Sequence, residues 1–140
     1  MKLVVINRCW GGFGLSHKAV MLYAKLSKFK LYPFVEKRDA SGNIDFHHHV
    51  PYARQKNAFV IHYSFAPLNA DGTYEEKSYF FPREIERDDA ILLRVVKKLG
   101  KRANGTHAEL KIVEIPNGIE YEIEDYDGME TVEEKHQVWS

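Results

Sequence analysis

The chain opens with an apolar run, Val4-Val5-Ile6-Asn7, that stops in a glycine-rich loop, Arg8-Cys9-Trp10-Gly11-Gly12-Phe13-Gly14-Leu15-Ser16, after which the pattern turns helical. A junction of this kind can cradle a phosphate. Gly11, Gly12 and Gly14 reach backbone angles closed to other residues and let a ligand approach the main chain, and Ser16 can cap a helix whose free N–H groups attract anions. Arg8 adds a fixed positive charge, and Trp10 and Phe13 add aromatic surface within the same loop. The loop matches neither the six-position dinucleotide fingerprint nor the P-loop, which ends in Gly-Lys-Ser/Thr. A tight strand-to-helix turn that simply needs glycine is the competing reading.

A second group of residues has the chemistry of a nucleotide site. Tyr52, Arg54, Lys56, Tyr63, Phe80, Phe81, Arg83 and Arg87 combine rings for stacking with guanidinium groups for bidentate phosphate contact. Phe80 and Phe81 adjoin Pro82-Arg83 just before a helical pattern, so at least one ring is expected to be exposed near a helix N-terminus. The ligand-binding set drawn from these patterns is Arg8, Trp10, Gly11, Gly12, Phe13, Gly14, Ser16, Arg54, Phe81, Arg83 and Arg87. Core packing and surface salt bridges are the alternative for the aromatic and basic members.

Other reactive residue types carry less. His47 and His49 would share one face of a strand, but no carboxylate or Cys stands at a recognisable metal spacing, so no metal site is expected. Cys9 lies in an arginine-flanked loop near a helix start, the setting that lowers a thiol pKa, and His17 is the nearest base in sequence. Glu120, Glu122, Glu124, Asp125 and Asp127 could bind magnesium or form an acid–base pair, yet alternation along an exposed strand accounts for them more simply. No catalytic residue and no cofactor are assigned.

The elements that must position these residues follow from periodicity. Residues 2 to 7 read as a central strand buried on both faces. Ser16 to Lys28 places Ala19, Val20, Leu22, Tyr23 and Leu26 on one helical face. Leu31 to Glu36 reads as a short strand that Pro33 assigns to an edge or a bend. Ala58 to Ser64 and Thr73 to Phe81 read as strands joined through an Asp71-Gly72 turn. Asp88 or Asp89 caps a second helix with Ile91, Leu92, Val95, Val96 and Leu99 as its apolar face, ended by Gly100 after Lys97 and Lys98. Glu109 to Ile115 and Ile119 to Ile123 look like an antiparallel pair about Pro116-Asn117-Gly118, and Met129 to Trp139 like a short helix. The expectation is α/β in the α+β sense: a single domain over residues 1–140, with a central mixed sheet, two main helices and an acidic tail segment over 116–140.

At 140 residues the chain can bury one core. Lys plus Arg and Asp plus Glu are both 20, so the total offers no reason to expect a nucleic-acid polymer or a polybasic membrane patch as partner. The distribution is less even: the unpaired cations concentrate in the first half, and Glu114 to Glu134 is acidic, which suits an anionic ligand or head-to-tail contact between subunits. A single cysteine is typical of a reducing compartment, and no segment is long enough for a membrane helix.

The stretches INRCWGGFGLSHKAV, RDDAILLRVVKKLG and EIPNGIEYEIEDYDGMETVEEKHQVWS resemble a group of small bacteriophage proteins, the Thoeris anti-defence signal sponges of the first type. The resemblance covers about half the chain, mostly its two ends. It implies a homo-oligomer, a dimer or hexamer, in the host cytoplasm, with no membrane partner. Such a protein captures a cyclic ADP-ribose isomer, and in some members cyclic di- or trinucleotides, without destroying it. A nucleotide-processing enzyme and a protein-binding phage inhibitor are the alternatives.

Overall fold

The computed structural model describes residues 1–38, 41, 44–48 and 61–135. Arg54, His49, His136 and Trp139 lie outside the described residues, as do residues 58–60 of the strand expected from Ala58. The α+β class with two main helices is present. The Cα packing divides the chain into two compact units, one of residues 1–27 and 82–140 and the other of residues 28–81.

In the first unit, β1 (Lys2–Asn7) has Val4, Val5, Ile6 and Asn7 all buried, as a strand covered on both faces requires. Its ladder partner is β6 (Leu110–Ile115), antiparallel from Lys2↔Ile115 to Asn7↔Leu110. The other edge of β1 is closed without a strand. Val5 N–H donates to the Arg87 carbonyl at 2.8 Å, and Asn7 N–H donates to Glu130 Oε1 at 2.8 Å. For this reason β1 is not the centre of a mixed sheet: the strands among the described residues form three antiparallel sheets instead.

Helix α1 (His17–Ser27) buries Ala19, Val20 and Ala24. Helix α2 (Ala90–Leu99) is capped by Asp89, whose carboxylate accepts from Ile91 N–H and Leu92 N–H, and it ends at Gly100 with φ 56°. Leu92, Val95, Val96 and Leu99 are its buried face. The two helices run antiparallel: Tyr23 Oη meets Asp89 Oδ2 at 3.2 Å, and Ser16 Oγ meets the Arg102 carbonyl at 2.6 Å.

The last two strands correct the expected pairing. β7 (Tyr121–Tyr126) joins not β6 but β8 (Met129–Glu134), where a helix was expected from Met129. Asp127 (φ 51°) and Gly128 (φ 90°) make a two-residue connection with both central residues at positive φ, the geometry that matches strand twist. β6 is taken by β1, whose buried residues 4–7 need a ladder to satisfy their amides.

In the second unit the strand order is β3-β2-β4-β5, with β2 (Tyr32–Arg38), β3 (Ile44–His48), β4 (His62–Ser64) and β5 (Tyr79–Phe80). β2 lies between β3 and β4 in the sheet order, where Pro33 had pointed to an edge or a bend. The ladder to β3 covers only Val35 to Arg38 and the ladder to β4 only Tyr32 to Phe34, so Pro33 faces a strand on one side only. The Asp71-Gly72 turn forms, but β5 is two residues long and a 3-10 turn, Glu76–Ser78, precedes it.

Candidate functional site

At the end of β1 the glycine loop is packed against the protein's own backbone. A Cβ at Gly11 would lie 2.1 Å from His107 Cβ, and one at Gly105 would lie 2.8 Å from the Gly14 carbonyl carbon. Gly105 N–H donates to the Gly14 carbonyl at 2.9 Å. On the other side a Cβ at Gly128 would lie 2.4 Å from the Trp10 carbonyl oxygen and 2.5 Å from Gly12 N. Gly12 itself has φ 91°. Close packing thus accounts for glycine at positions 11, 105 and 128, and the positive φ accounts for it at position 12.

The polar groups of this junction are engaged in the same way. Ser16 caps α1 by accepting from Ala19 N–H at 3.1 Å, and its hydroxyl donates to the Arg102 carbonyl. Asn7, fully buried, donates through Nδ2 to the carbonyls of Cys9 and Gly128 at 2.6 and 2.7 Å. Its Oδ1 accepts from Cys9 N–H and Glu109 N–H at 3.2 and 2.8 Å. Arg87 donates to both carboxylate oxygens of Glu130, at 2.6 and 3.0 Å, and its guanidinium carbon lies 3.5 Å from the centroid of the buried Phe13 ring. Phe13, Ser16 and Arg87 are therefore internal members of the fold.

Arg8 reaches β8. Its Nη1 donates to the Glu130 carbonyl at 2.8 Å, and it lines a groove of about 480 Å³ with Glu124, Asp125, Tyr126, Met129, Thr131 and Glu133. That environment is acidic. The carboxylates of Glu122, Glu124 and Glu133 come within 4.8 Å of one another, and the hydrogen bond to Glu122, then its charge, raises the Glu124 pKa above the ordinary glutamate value. Trp10, 56% exposed, sits edge-to-face with Tyr126, 77% exposed, at 5.9 Å between centroids. Arg83 is exposed in the 3-10 turn Pro82–Glu84.

The second unit holds an open cleft of about 630 Å³ lined by His62, Thr73, Tyr74, Glu76, Tyr79 and Phe81. Strand alternation builds it. The register sets Phe34 opposite His62 and Ser64 opposite Tyr79 on one face, and Tyr63 opposite Phe80 on the other. Phe80 thus joins Phe29 and Phe65 in a cluster with centroids 5.3 to 5.8 Å apart. On the cleft face His62 stacks on the buried Phe34 at 5.2 Å, and its Nδ1 lies 2.6 Å from Tyr79 Oη. Tyr79 lies 5.5 Å from Tyr74 and 4.4 Å from Phe81, which is 48% exposed.

The rim of the cleft is fixed locally. Asp71 Oδ1 accepts from both the N–H and the hydroxyl of Thr73, which holds the Asp71 carboxyl below its usual range, and Asn69 N–H donates to the Thr73 carbonyl at 2.8 Å. This Asx turn presents Thr73 and Tyr74 to the opening.

The expected ligand set is therefore dispersed. Gly11, Gly12, Phe13, Gly14 and Ser16 gather at the internal junction, Arg8 and Trp10 face the hairpin of β7 and β8, and of the described members only Phe81 lines the aromatic cleft. Sequence reasoning passed over His62, Thr73, Tyr74 and Tyr79, although the alternation in His62-Tyr63-Ser64 and Tyr79-Phe80-Phe81 carries the signal. It also passed over Glu130, which is buried within an acidic stretch that reads as solvated. Comparisons with protein-family models, with curated proteins and with solved structures find no match to this chain.

Proposed function

We propose that the protein binds and sequesters a small cyclic nucleotide, a cyclic ADP-ribose isomer or a cyclic di- or trinucleotide, without cleaving it, in the host cytoplasm and as a homo-oligomer. The observation that carries this reading is the cleft of residues 62–81, where Tyr74, Tyr79 and Phe81 offer ring faces beside the His62–Tyr79 hydrogen bond. A planar base stacks on such rings, each contact contributing about 1–3 kcal/mol. The resemblance of both chain ends to the phage sponges supports the identity of the ligand, and the sugar and phosphates would occupy the open side of the cleft.

The test is retention. Purified protein is incubated with a panel of cyclic ADP-ribose isomers and cyclic oligonucleotides, freed of unbound compound and denatured, and the released material is separated by chromatography. Intact compound in stoichiometric amount is the expected result. Converted product would establish an enzyme instead. Retention of nothing would favour a protein-binding inhibitor, for which the exposed Trp10–Tyr126 pair is the specific observation, since Trp and Tyr anchor protein interfaces.

A further inference from the structure

The zero net charge of the sequence conceals a segregation that folding sharpens. No acidic residue occurs before Glu36, and none occurs over residues 90–108. These two acid-free stretches supply α1 and α2, which pack antiparallel through the Tyr23–Asp89 and Ser16–Arg102 contacts. On α2 the exposed Arg94, Lys97 and Lys98 lie opposite the buried Leu92, Val95, Val96 and Leu99, and the exposed Lys101 follows in the 3-10 turn Gly100–Ala103. Exposed Lys18 and Lys25 stand two turns apart on α1. The Ser16–Arg102 contact sets the first turn of α1, with Lys18, beside the chain at Lys101.

None of these six cations is in an ion pair among the described residues, where the pairs are Lys2–Asp88, Lys77–Glu75 and Arg87–Glu130. Lys97 and Lys98 complement the α2 dipole and Lys25 that of α1, which leaves Arg94, Lys101 and Lys18 without that explanation. Among the described residues, none of the exposed large apolar side chains, Met1, Trp10, Phe65, Phe81 and Tyr126, belongs to α1 or α2. A cationic face without an apolar anchor lacks what a protein partner needs for a hot spot. It suits a polymer with regularly spaced negative charge.

We propose that the paired helices α1 and α2 form a phosphate-backbone contact face for double-stranded nucleic acid, read without regard to sequence. The binding is electrostatic, and with six cations engaged log K falls linearly with log salt with a slope of about −5.

The experiment is fluorescence anisotropy of a labelled 20-base-pair DNA duplex of mixed sequence, titrated with the full chain between 20 and 200 mM KCl. Saturable binding with a steep salt slope is expected, weakened about tenfold or more by Arg94→Glu with Lys98→Glu and independently by Lys18→Glu with Lys101→Glu. Lys77→Glu, outside the face, should leave it unchanged. Thermal melting of each variant confirms that the fold is kept. No saturable binding at 20 mM KCl, or binding indifferent to both double reversals, would overturn the proposal. So would salt-sensitive self-association in sedimentation without DNA that the same reversals abolish, because the face would then belong to a second copy.

Discussion

Arg87 and Glu130 form a two-pronged ion pair at 2.6 and 3.0 Å in which both side chains are largely buried, with exposures of 15% and 5%. Glu130 Oε1 also accepts the Asn7 amide, so one carboxylate ties the end of β1, the approach to α2 and the start of β8. Removing one partner of a buried pair leaves an uncompensated charge. Glu130→Ala is expected to reduce stability by about 3–5 kcal/mol in urea denaturation. A loss below about 1 kcal/mol would show that water reaches Arg87 freely.

Two turn glycines separate backbone strain from collision. Gly118 (φ 82°) has open space where a Cβ would stand, whereas at Gly128 (φ 90°) the Cβ would meet Trp10 and Gly12 backbone. Gly118→Ala should lower stability by about 1–2 kcal/mol, the left-handed penalty alone. Gly128→Ala should lower it by about 1–3 kcal/mol more. Equal losses in the two variants would mean that the glycine loop is not held against the hairpin.

Glu124 should titrate above the ordinary glutamate value in a carboxyl NMR titration, because Glu122 hydrogen-bonds to its protonated form and repels its charged form. A carboxyl with a raised native pKa binds its proton more tightly folded than unfolded. Its contribution is full below the unfolded pKa and is lost as pH rises through the native value. Glu122→Gln should return Glu124 toward its ordinary value and raise the melting temperature slightly at neutral pH. An unmoved Glu124 midpoint in that variant would assign the shift to another neighbour.

Asp89 serves two groups at once, the N-terminus of α2 and the Tyr23 hydroxyl. Asp89→Ala should reduce stability by about 1 kcal/mol, the usual worth of a cap. Tyr23 titrates above the ordinary tyrosine value first because of burial and then because of Asp89. Ultraviolet titration of the variant should show it moving part of the way down, with the burial effect remaining. A return to the full ordinary value would make Asp89 the dominant cause.

Ligand capture separates the two halves of the expected site. Phe81→Ala should weaken retention of a cyclic nucleotide by about 5- to 150-fold, the stacking contribution of one ring. Arg8→Ala should leave retention per folded molecule unchanged, because the Arg8 guanidinium is bonded to the Glu130 carbonyl within an acidic groove. The reverse pattern, measured by equilibrium dialysis, would return the site to the glycine loop.

Local chemistry determined the local elements. The apolar run of residues 2 to 7, the caps Ser16 and Asp89, the Gly100 stop and the Asp71-Gly72 turn were all legible, because propensity, capping and turn preference act within a few residues. The tertiary structure decided what those elements meet. Asn7 and Glu130 are 123 residues apart and Arg87 and Glu130 are 43 apart, distances at which no local pattern signals contact. The same limit hid the choice of β1 as partner for β6. It also hid the purpose of Gly11 and Gly105, whose missing side chains make room for His107 and Gly14. The rings of the cleft were visible as residue types. Which of them face outward was fixed only by register, since a shift of one residue exchanges Tyr79 and Phe81 for Phe80 on that face.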